Sequence, residues 1–247
     1  MQQQLKGINV LVTRPQQQAQ NLCNLIQNQG GTTLLLPTLD IIPLAVTAQH
    51  LPTHVDKVIF VSANAVNYGI QYLTALQPKQ ILAIGKKTTQ VLQKTIQQPI
   101  ITAPEPYNSE ALLQQPELQN LTNQNIAIIR GQGGRDLLAN TLHQRGAHVN
   151  YINVYQRQQP SVDTAWLQHK QIDIIIVTSG ESLQNLFSML KQHQWLKSTP
   201  LVTMSQRVTD LAHQYTQAAI YTAFVASDEG LLTALLQWKQ PVQGTDL

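Results

Sequence analysis

The feature that most constrains this fold is an internal repeat of one strand–turn–helix pattern. Arg14 follows the apolar stretch NVLV near the start, and Arg130 follows the apolar stretch IAII 116 residues later. Ser62 in VIFVSANAV matches Ser179 in IIIVTSGES at a shift of 117 residues. Two more pairs follow in order at shifts of 120 and 118 residues, namely Gly85 with Ser205 and Ser109 with Ser227. Matches at nearly one shift indicate two copies of one α/β half.

Short apolar strands alternate with amphipathic helices along both copies. One helical face, for example, is formed by residues at helical spacing, which are Leu183, Leu186, Phe187 and Leu190. This alternation predicts two Rossmann-like or flavodoxin-like domains, each with a parallel sheet covered on both faces. Ligands of such sheets bind beyond the carboxyl ends of the strands. Because the matched turns follow predicted strands, we expect the functional residues there.

The most distinctive stretch is RGQGGRDLLANTLHQRGAHVNYINVYQR, residues 130–157. A buried strand leads into a Gly-rich turn, and the helix after it should end at Gly146. The turn is predicted to place unpaired backbone N–H groups at a helix N-terminus, which favours anions. Arg135 and Arg207 are predicted on first helical turns, where a cation opposes the helix dipole. That unfavourable placement adds weight to a ligand-binding role.

The polar residues at these turns also have plain structural explanations, and the sequence leaves both open. Serines occur before predicted helices, where serine commonly caps free N–H groups: Ser62, Ser179, Ser205 and Ser227. Arg14 and Arg130 could be surface charges at the ends of strands. Tyr155 could equally be a half-buried strand residue.

Missing motifs narrow the class of function. Asp136 stands where a dinucleotide-binding loop needs its third glycine, and no phosphate-binding loop of the GxxxxGK[ST] type occurs. The glycines of a nucleophile elbow are absent around Ser179. Cys23, the one cysteine, is expected to be a buried structural thiol, and a metal centre has little support.

Charge and hydropathy narrow the possible partners. The net charge is +3, and the basic residues are scattered, which argues against a nucleic-acid surface. No apolar run has the length of a membrane span, and the start of the chain does not resemble a secretion signal. We therefore expect a cytoplasmic protein without nucleic-acid or membrane partners.

Three segments resemble uroporphyrinogen-III synthases of the bacterial type: LVTRP near the start, residues 130–157, and VTSGESLQNL. The resemblance covers essentially the whole chain, and its middle segment is the most specific. One departure is TMSQRV, which stands where the first copy has AIGKKT. The resemblance implies two α/β domains joined by a two-stranded β-ladder. The implied domains are 1–38 with 159–247, and 44–150, with 39–43 and 151–158 as the ladder.

The resemblance also implies the reaction. Linear hydroxymethylbilane loses water and closes to uroporphyrinogen III, with ring D inverted through a spiro intermediate and without a cofactor. Backbone N–H groups and basic side chains would bind the eight carboxylates of the substrate. Tyr155 matches the tyrosine of the family and is the expected proton donor. The expected substrate-binding residues are Arg14, Ser62, Asn64, Lys86, Ser109, Arg130, Gly131, Arg135, Ser179, Gly180, Ser205 and Arg207.

The partners implied are this tetrapyrrole substrate and, as a candidate upstream donor, hydroxymethylbilane synthase; the protein is expected to be a monomer. Two alternatives remain at this point. One is a non-catalytic bilobed protein that binds a small anion, against which the missing signal peptide counts. The other is a degenerate synthase-like domain that serves as an interaction partner, against which the intact RGQGGR turn and Tyr155 count.

Overall fold

The structure is a computed structural model that describes residues 3–239. The chain forms two compact units. Unit 1 comprises the residues up to Asp40 together with those from Gln158 onward, and unit 2 is Ile41–Arg157. The outermost residues of the predicted first domain, 1–2 and 240–247, lie outside the described residues. Across residues 3–239, no helix is both long enough and apolar enough to cross a membrane.

Strands and helices alternate along the described chain. The strands are β1 (Asn9–Val12), β2 (Thr32–Leu35), β3 (Asp40–Pro43), β4 (Lys57–Phe60), β5 (Gln80–Ala83), β6 (Ile100–Thr102), β7 (Asn125–Gly131), β8 (His148–Gln158), β9 (Ile174–Val177), β10 (Leu201–Thr203) and β11 (Ile220–Thr222). The helices are α1 (Gln16–Asn28), α2 (Ala63–Gly69), α3 (Leu73–Leu76), α4 (Lys86–Gln93), α5 (Ser109–Leu112), α6 (Leu137–Gln144), α7 (Gly180–Met189), α8 (Gln206–Ala212) and α9 (Asp228–Lys239).

Each unit is built on one sheet. The sheet of unit 1 has the order β11-β10-β9-β1-β2, and all of its neighbours are parallel. Counted within the unit this is the 2-1-3-4-5 order of flavodoxin-like folds. The sheet of unit 2 has the order β3-β8-β7-β4-β5-β6, with parallel pairing from β8 to β6. Its five parallel strands repeat the arrangement of unit 1 if β7 and β8 are the copies of β1 and β2. The predicted α/β class with parallel sheets is confirmed.

Both sheets are buried on both faces. In unit 1, Val10 and Val12 lie in a core shared with α1 and α9, whereas Leu11 lies in a core shared with α7 and α8. In unit 2, Ile59 contacts the core of α5 and α6, and Phe60 contacts the core of α2 and α4. Successive strand residues point to opposite faces, which explains why these strands read as continuous apolar runs.

One predicted helix is interrupted. The sequence favours a single helix over residues 63–75, but the structure has α2, then a 3-10 turn over Ile70–Tyr72, then α3. Gly69, at the end of α2, lies so close to the sheet that an added Cβ would overlap with Ile129 Cγ2. Glycine is a weak helix former, and its close approach to the sheet marks the point where the helix changes geometry.

The duplication extends to individual hydrogen bonds. In unit 2 the hydroxyls of Thr89 and Thr102 are 2.7 Å apart, and in unit 1 those of Thr209 and Thr222 are also 2.7 Å apart. Each pair joins a helix to the edge strand that follows it, and the two pairs are separated by 120 residues. The repeated contact supports the interpretation of the sequence as two copies of one half.

A pair of aspartates links the first residues of the central strands. Asp56 Oδ2 accepts from the backbone N–H of Asn125 at 2.9 Å, and Asp173 Oδ2 accepts from that of Asn9 at 2.8 Å. Asp56 Oδ1 also accepts from Lys79 Nζ at 2.8 Å. The hydrogen bond from Lys79, followed by that from the backbone of Asn125, lowers the pKa of Asp56 to about 2.

Replacing Asp56 by asparagine should lower the free energy of unfolding by about 1–2 kcal/mol near neutral pH, because charge-assisted hydrogen bonds are weakened. The pKa of Asp56 is about 2 in the fold against an ordinary 3.8. A lowered pKa stabilises the fold above the ordinary value, and this contribution is lost as the pH falls towards the folded pKa. The difference in thermal midpoint between wild type and Asp56→Asn should therefore shrink between about pH 4 and pH 2.

The matched control is Asp210→Asn, because exposed Asp210 accepts from the exposed side chain of Gln206 at 2.8 Å. This variant should keep a thermal midpoint close to that of wild type at every pH. A difference for Asp56→Asn that stays constant down to about pH 2 would contradict the assignment.

Candidate functional site

The carboxyl ends of β4, β7 and β8 bring three of the predicted residues together in unit 2. The hydroxyl of Tyr155 lies 3.2 Å from Ser62 Oγ. Gly131 pairs with Tyr155 across a register shift in the sheet. A Cβ added at Gly131 would lie 2.5 Å from Tyr155 Cε2, so a larger residue would displace the ring. The glycine is required here because the phenol ring rests directly on its backbone.

Tyr155 is held firmly in this position. Its side chain is 3% exposed, and its carbonyl oxygen accepts from the backbone N–H of Gln132 at 2.7 Å. The ring centroid of Tyr68 is 6.0 Å away, and the guanidinium carbon of Arg157 lies 5.9 Å from the centroid of the Tyr155 ring. A buried phenol with an oriented hydroxyl can donate a hydrogen bond or a proton in a fixed direction.

The serines act as helix caps at three of the four predicted positions. Ser62 accepts from the backbone N–H of Ala65 at 3.0 Å, and Ser179 accepts from that of Ser182 at 3.1 Å. Ser227 accepts from Gly230 in the same way at 3.0 Å. Ser205 occupies the N-cap position of α8, but its side chain makes no cap hydrogen bond. Ser62 differs from the other caps because it also contacts Tyr155.

The predicted match of Ser109 with Ser227 is displaced by one residue. Asn108 is the N-cap of α5, and its side chain accepts from the backbone N–H of Ala111 at 2.8 Å. Asn108 is therefore the counterpart of Ser227, and Ser109 is the counterpart of Asp228. The cause is the loop after β6, which is one residue longer than the loop after β11.

Arg130 does not point away from its strand, as a substrate ligand would. Its guanidinium donates to the carbonyl oxygens of Gly131 at 3.2 Å and of Gly133, and it contacts Asp136 Oδ1 at 3.4 Å. It also lies 4.5 Å from the ring centroid of Tyr151, whose hydroxyl donates to Asp136 at 2.9 Å. Burial, and then the hydrogen bond to Asp136, raise the pKa of Tyr151. Arg130 is 9% exposed and supports the Gly-rich loop from within.

The Gly-rich turn is longer than the sequence predicts. Helix α6 begins at Leu137, and the N-cap residue Asp136 makes no side-chain cap hydrogen bond. Gly133 and Gly134 have φ values of 78° and 102°, which favour glycine. Arg135 therefore lies before the helix, and its predicted place on the first helical turn is wrong. Its guanidinium instead forms an ion pair with Glu110 at 3.0 Å.

In unit 1, Arg14 links the loop after β1 to the start of α9. Its guanidinium forms an ion pair with Asp228, the first residue of that helix, and each side chain is 16% exposed. Asn21 Nδ2 donates to the second carboxylate oxygen of Asp228 at 2.8 Å. An acidic residue at a helix N-terminus is also favourable for the helix dipole.

A buried hydroxyl network lies beneath the turn of Ser179 and Gly180, and sequence reasoning missed it. Thr13 Oγ1 donates to the carbonyl oxygen of Ile176 at 2.8 Å and lies 3.1 Å from Ser182 Oγ. Ser182 Oγ is also 2.7 Å from Thr38 Oγ1. The available signal was Thr13, which directly precedes Arg14 in the LVTRP motif. The network ties β1 to the N-terminus of α7, where Gly180 is the first residue.

Two of the other predicted cations are exposed on first helical turns. Lys86 is the first residue of α4, and Arg207 is the second residue of α8, as predicted. At the shift of 120 residues the counterpart of Arg207 is Lys87 rather than Lys86. Asn64 is half-buried in the first turn of α2. The predicted residues fall into one set per unit, with Arg14, Ser179, Gly180, Ser205 and Arg207 in unit 1 and the others in unit 2.

These features define a class of protein. Each unit reverses strand order at its central pair, β1 with β9 and β7 with β4, and ligands of doubly wound sheets bind beside such switch points. The chain is thus a duplicated flavodoxin-like α/β protein with similar capped turns in both copies. It belongs to the uroporphyrinogen-III synthase family, because the family model described as "Uroporphyrinogen-III synthase HemD" matches residues 20–233.

Individual relatives agree with this assignment. The uroporphyrinogen-III synthase of Escherichia coli strain K12 is 31% identical over 250 residues, which cover 92% of this chain and 100% of that protein. The solved structure of uroporphyrinogen-III synthetase from Helicobacter pylori 26695 has a TM-score of 0.63 at 15% identity, covering 94% of this chain and 99% of that one. A mutant synthase from Thermus thermophilus gives 0.57 at 19% identity, with coverages of 94% and 98%. The two structures support the fold.

Because Arg130 and Asp136 act together on one loop, their effects on activity should not add. We expect Arg130→Ala and Asp136→Ala each to lower the rate of product formation by about tenfold through a loosened loop, and the double variant to be little worse than either. Hydrogen exchange of the backbone amides over residues 131–135 should rise in each variant.

Glu110→Ala is the matched control, since it removes an exposed ion pair at the edge of the same loop. It should change the rate little, because exposed pairs contribute about 0–1 kcal/mol. Strictly multiplicative losses in the double variant, with unchanged amide exchange, would show that Arg130 acts independently of the loop.

Proposed function

We propose that this protein catalyses the reaction of its family, the closure of hydroxymethylbilane to uroporphyrinogen III. The observation that carries the proposal is the contact between Tyr155 and Ser62 on the backbone of Gly131, at the carboxyl edge of the sheet. The family match over residues 20–233 favours an enzyme over a non-catalytic anion-binding protein or a degenerate interaction domain.

The first chemical step needs a proton donor. The C–O bond of the terminal hydroxymethyl group breaks, and the hydroxide leaves as water once it has received a proton. Tyr155 supplies that proton from its phenol, while Ser62, at 3.2 Å, orients the hydroxyl. Because the ring rests on Gly131 and is 3% exposed, the donor is held in place before the substrate arrives.

The later steps depend on the folding of the substrate. The azafulvene formed by loss of water is attacked at the substituted carbon of ring D, which gives the spiro intermediate. This intermediate fragments and closes again with ring D inverted, and loss of a ring proton restores the aromatic pyrrole. The protein lowers the barrier chiefly by holding a flexible chain in one conformation, which removes most of the entropy cost of closure.

The eight carboxylates of the substrate are bound by the predicted residues in proportion to what the fold leaves accessible. Lys86 and Arg207 offer exposed cations on first helical turns. Arg14 and Arg135 are held in ion pairs with Asp228 and Glu110, so a substrate carboxylate must compete for them. Backbone N–H groups of the capped turns provide the remaining donors. Binding is therefore shared, and no single cation carries most of it.

A monomeric state, a cytoplasmic location and supply of the substrate by hydroxymethylbilane synthase belong to the same proposal. They are inferred from the composition and from the resemblance of the chain to the family.

The product isomer tests the proposed function directly. Purified protein is incubated with freshly prepared hydroxymethylbilane, and the products are oxidised and separated by chromatography. Spontaneous closure gives the type I isomer, so type III product in excess of a protein-free control is the expected result. Type I product alone would overturn the proposal.

Tyr155→Phe should lower kcat by about 10²-fold, since general acid catalysis typically contributes about 10²–10⁴-fold. The affinity for product should change little, because the ring and its packing on Gly131 are retained. Tyr68→Phe is the control: it removes a hydroxyl from the neighbouring ring, whose oxygen is 3.5 Å from the carbonyl oxygen of Ile41. A wild-type kcat for Tyr155→Phe would remove this residue from the mechanism.

A further inference from the structure

Exposed apolar side chains are concentrated after the carboxyl ends of strands. Within the described part of the chain, four large hydrophobic residues that remain exposed follow β6, β7 or β11, and these are Tyr107, Leu137, Phe224 and Val225. Scattered exposed hydrophobic residues are ordinary and need no explanation. A set at the strand ends where ligands of this fold class bind is not scattered, and it calls for a physical reason.

The loop between β11 and α9 presents the most exposed of these residues. Phe224 is 100% exposed and Val225 is 57% exposed. The loop backbone nevertheless packs closely on the helix, because Ser227 N donates to Val225 O at 2.8 Å. A Cβ added at Gly230 would overlap with the carbonyl oxygen of Val225. The backbone is therefore fixed against α9 while both apolar side chains face solvent.

The corresponding loop of unit 2, between β6 and α5, also presents an aromatic residue. Tyr107 is 37% exposed, and it directly precedes the cap residue Asn108. Its φ of 56° is in the left-handed region, which is unfavourable for a residue other than glycine. Its backbone N–H donates to Pro104 O at 2.7 Å, which helps to hold this conformation. An exposed aromatic side chain in the same loop of both copies argues against chance.

Each of these loops lies next to an arginine that was predicted to bind substrate. Asp228, four residues after Phe224, is bound to Arg14. Glu110, three residues after Tyr107, is bound to Arg135 at 3.0 Å. Both units therefore place an exposed aromatic ring beside a cationic group. A ligand that matches this pattern has an apolar ring face and carboxylate arms, which describes a carboxylated pyrrole.

We propose that Phe224, together with Val225, packs on the face of a pyrrole ring of the tetrapyrrole, and that Tyr107 is the corresponding contact in unit 2. The proposal rests on the proposed function and assigns ring contacts to a site whose cations bind only the carboxylates. Aromatic contacts of this kind are sensitive to geometry and hold a ring in one orientation. Since the ring faces are present before and after closure, this contact should act on binding more than on the chemical step.

The test compares Phe224→Ala with Trp166→Ala, and Val225→Ala with Val162→Ala. Trp166 and Val162 are exposed to similar or lesser extents, at 38% and 46%, but lie in the segment between β8 and β9. Phe224→Ala should raise KM by about three- to tenfold with kcat nearly unchanged, as expected for loss of one aromatic contact. Phe224→Tyr should behave like wild type. The thermal midpoint should not fall, because a fully exposed side chain contributes little buried area.

Binding of uroporphyrin III, the stable oxidised form of the product, gives a readout that does not depend on turnover. Fluorescence titration should show weaker binding for Phe224→Ala and Tyr107→Ala than for the two controls. Equal affinities across all variants would overturn the inference while leaving the proposed function intact. Binding that depends on Phe224 without any type III product would overturn the proposed function instead, and absence of binding by wild type would overturn the ring contact.

Discussion

The site depends on the pairing of central strands that are far apart in the chain. In unit 1, β1 pairs with β9, and in unit 2, β4 pairs with β7. An aspartate joins the first residues of each pair, Asp173 to Asn9 and Asp56 to Asn125. With the register fixed at the amino ends, the carboxyl ends present their turns side by side. Every contact described for Ser62, Tyr155 or the turn of Ser179 follows from that alignment.

Arginines after the central strands serve the loops before they serve a ligand. Arg14 binds Asp228 and so joins the loop after β1 to α9, while Arg130 binds carbonyl oxygens and Asp136 within its own turn. A polyanionic substrate needs a cation-rich surface, yet free cations close together would repel one another and destabilise the fold. Pairing them internally avoids that repulsion. It also explains why affinity for the substrate rests on many donors, including backbone N–H groups that no side-chain substitution removes.

The two copies have diverged where the chemistry is proposed. Unit 1 has a buried hydroxyl network formed by Thr13, Thr38 and Ser182, whereas the residues at the matching shifts in unit 2 are buried and apolar: Ile129, Val154 and Ala65. The apolar residues lie below the turn that carries Ser62 and beside Tyr155. A hydroxyl network there would offer competing partners to the phenol, while apolar neighbours leave Ser62 as its partner across the site. The duplication supplied one scaffold twice, and only one copy kept an environment suited to an oriented proton donor.

The sequence by itself determined the features that depend on neighbouring residues. Strand and helix periodicity gave the α/β class, and local capping chemistry gave the roles of Ser62 and Ser179. Tertiary structure decided what depends on side-chain direction and on distant strands. Arg130 turns into its loop because Gly133 and Asp136 provide partners there, and Asn108 replaces Ser109 as cap because one loop is a residue longer. The contact of Tyr155 with Ser62 joins residues 93 positions apart, so it exists only once β4, β7 and β8 are in register.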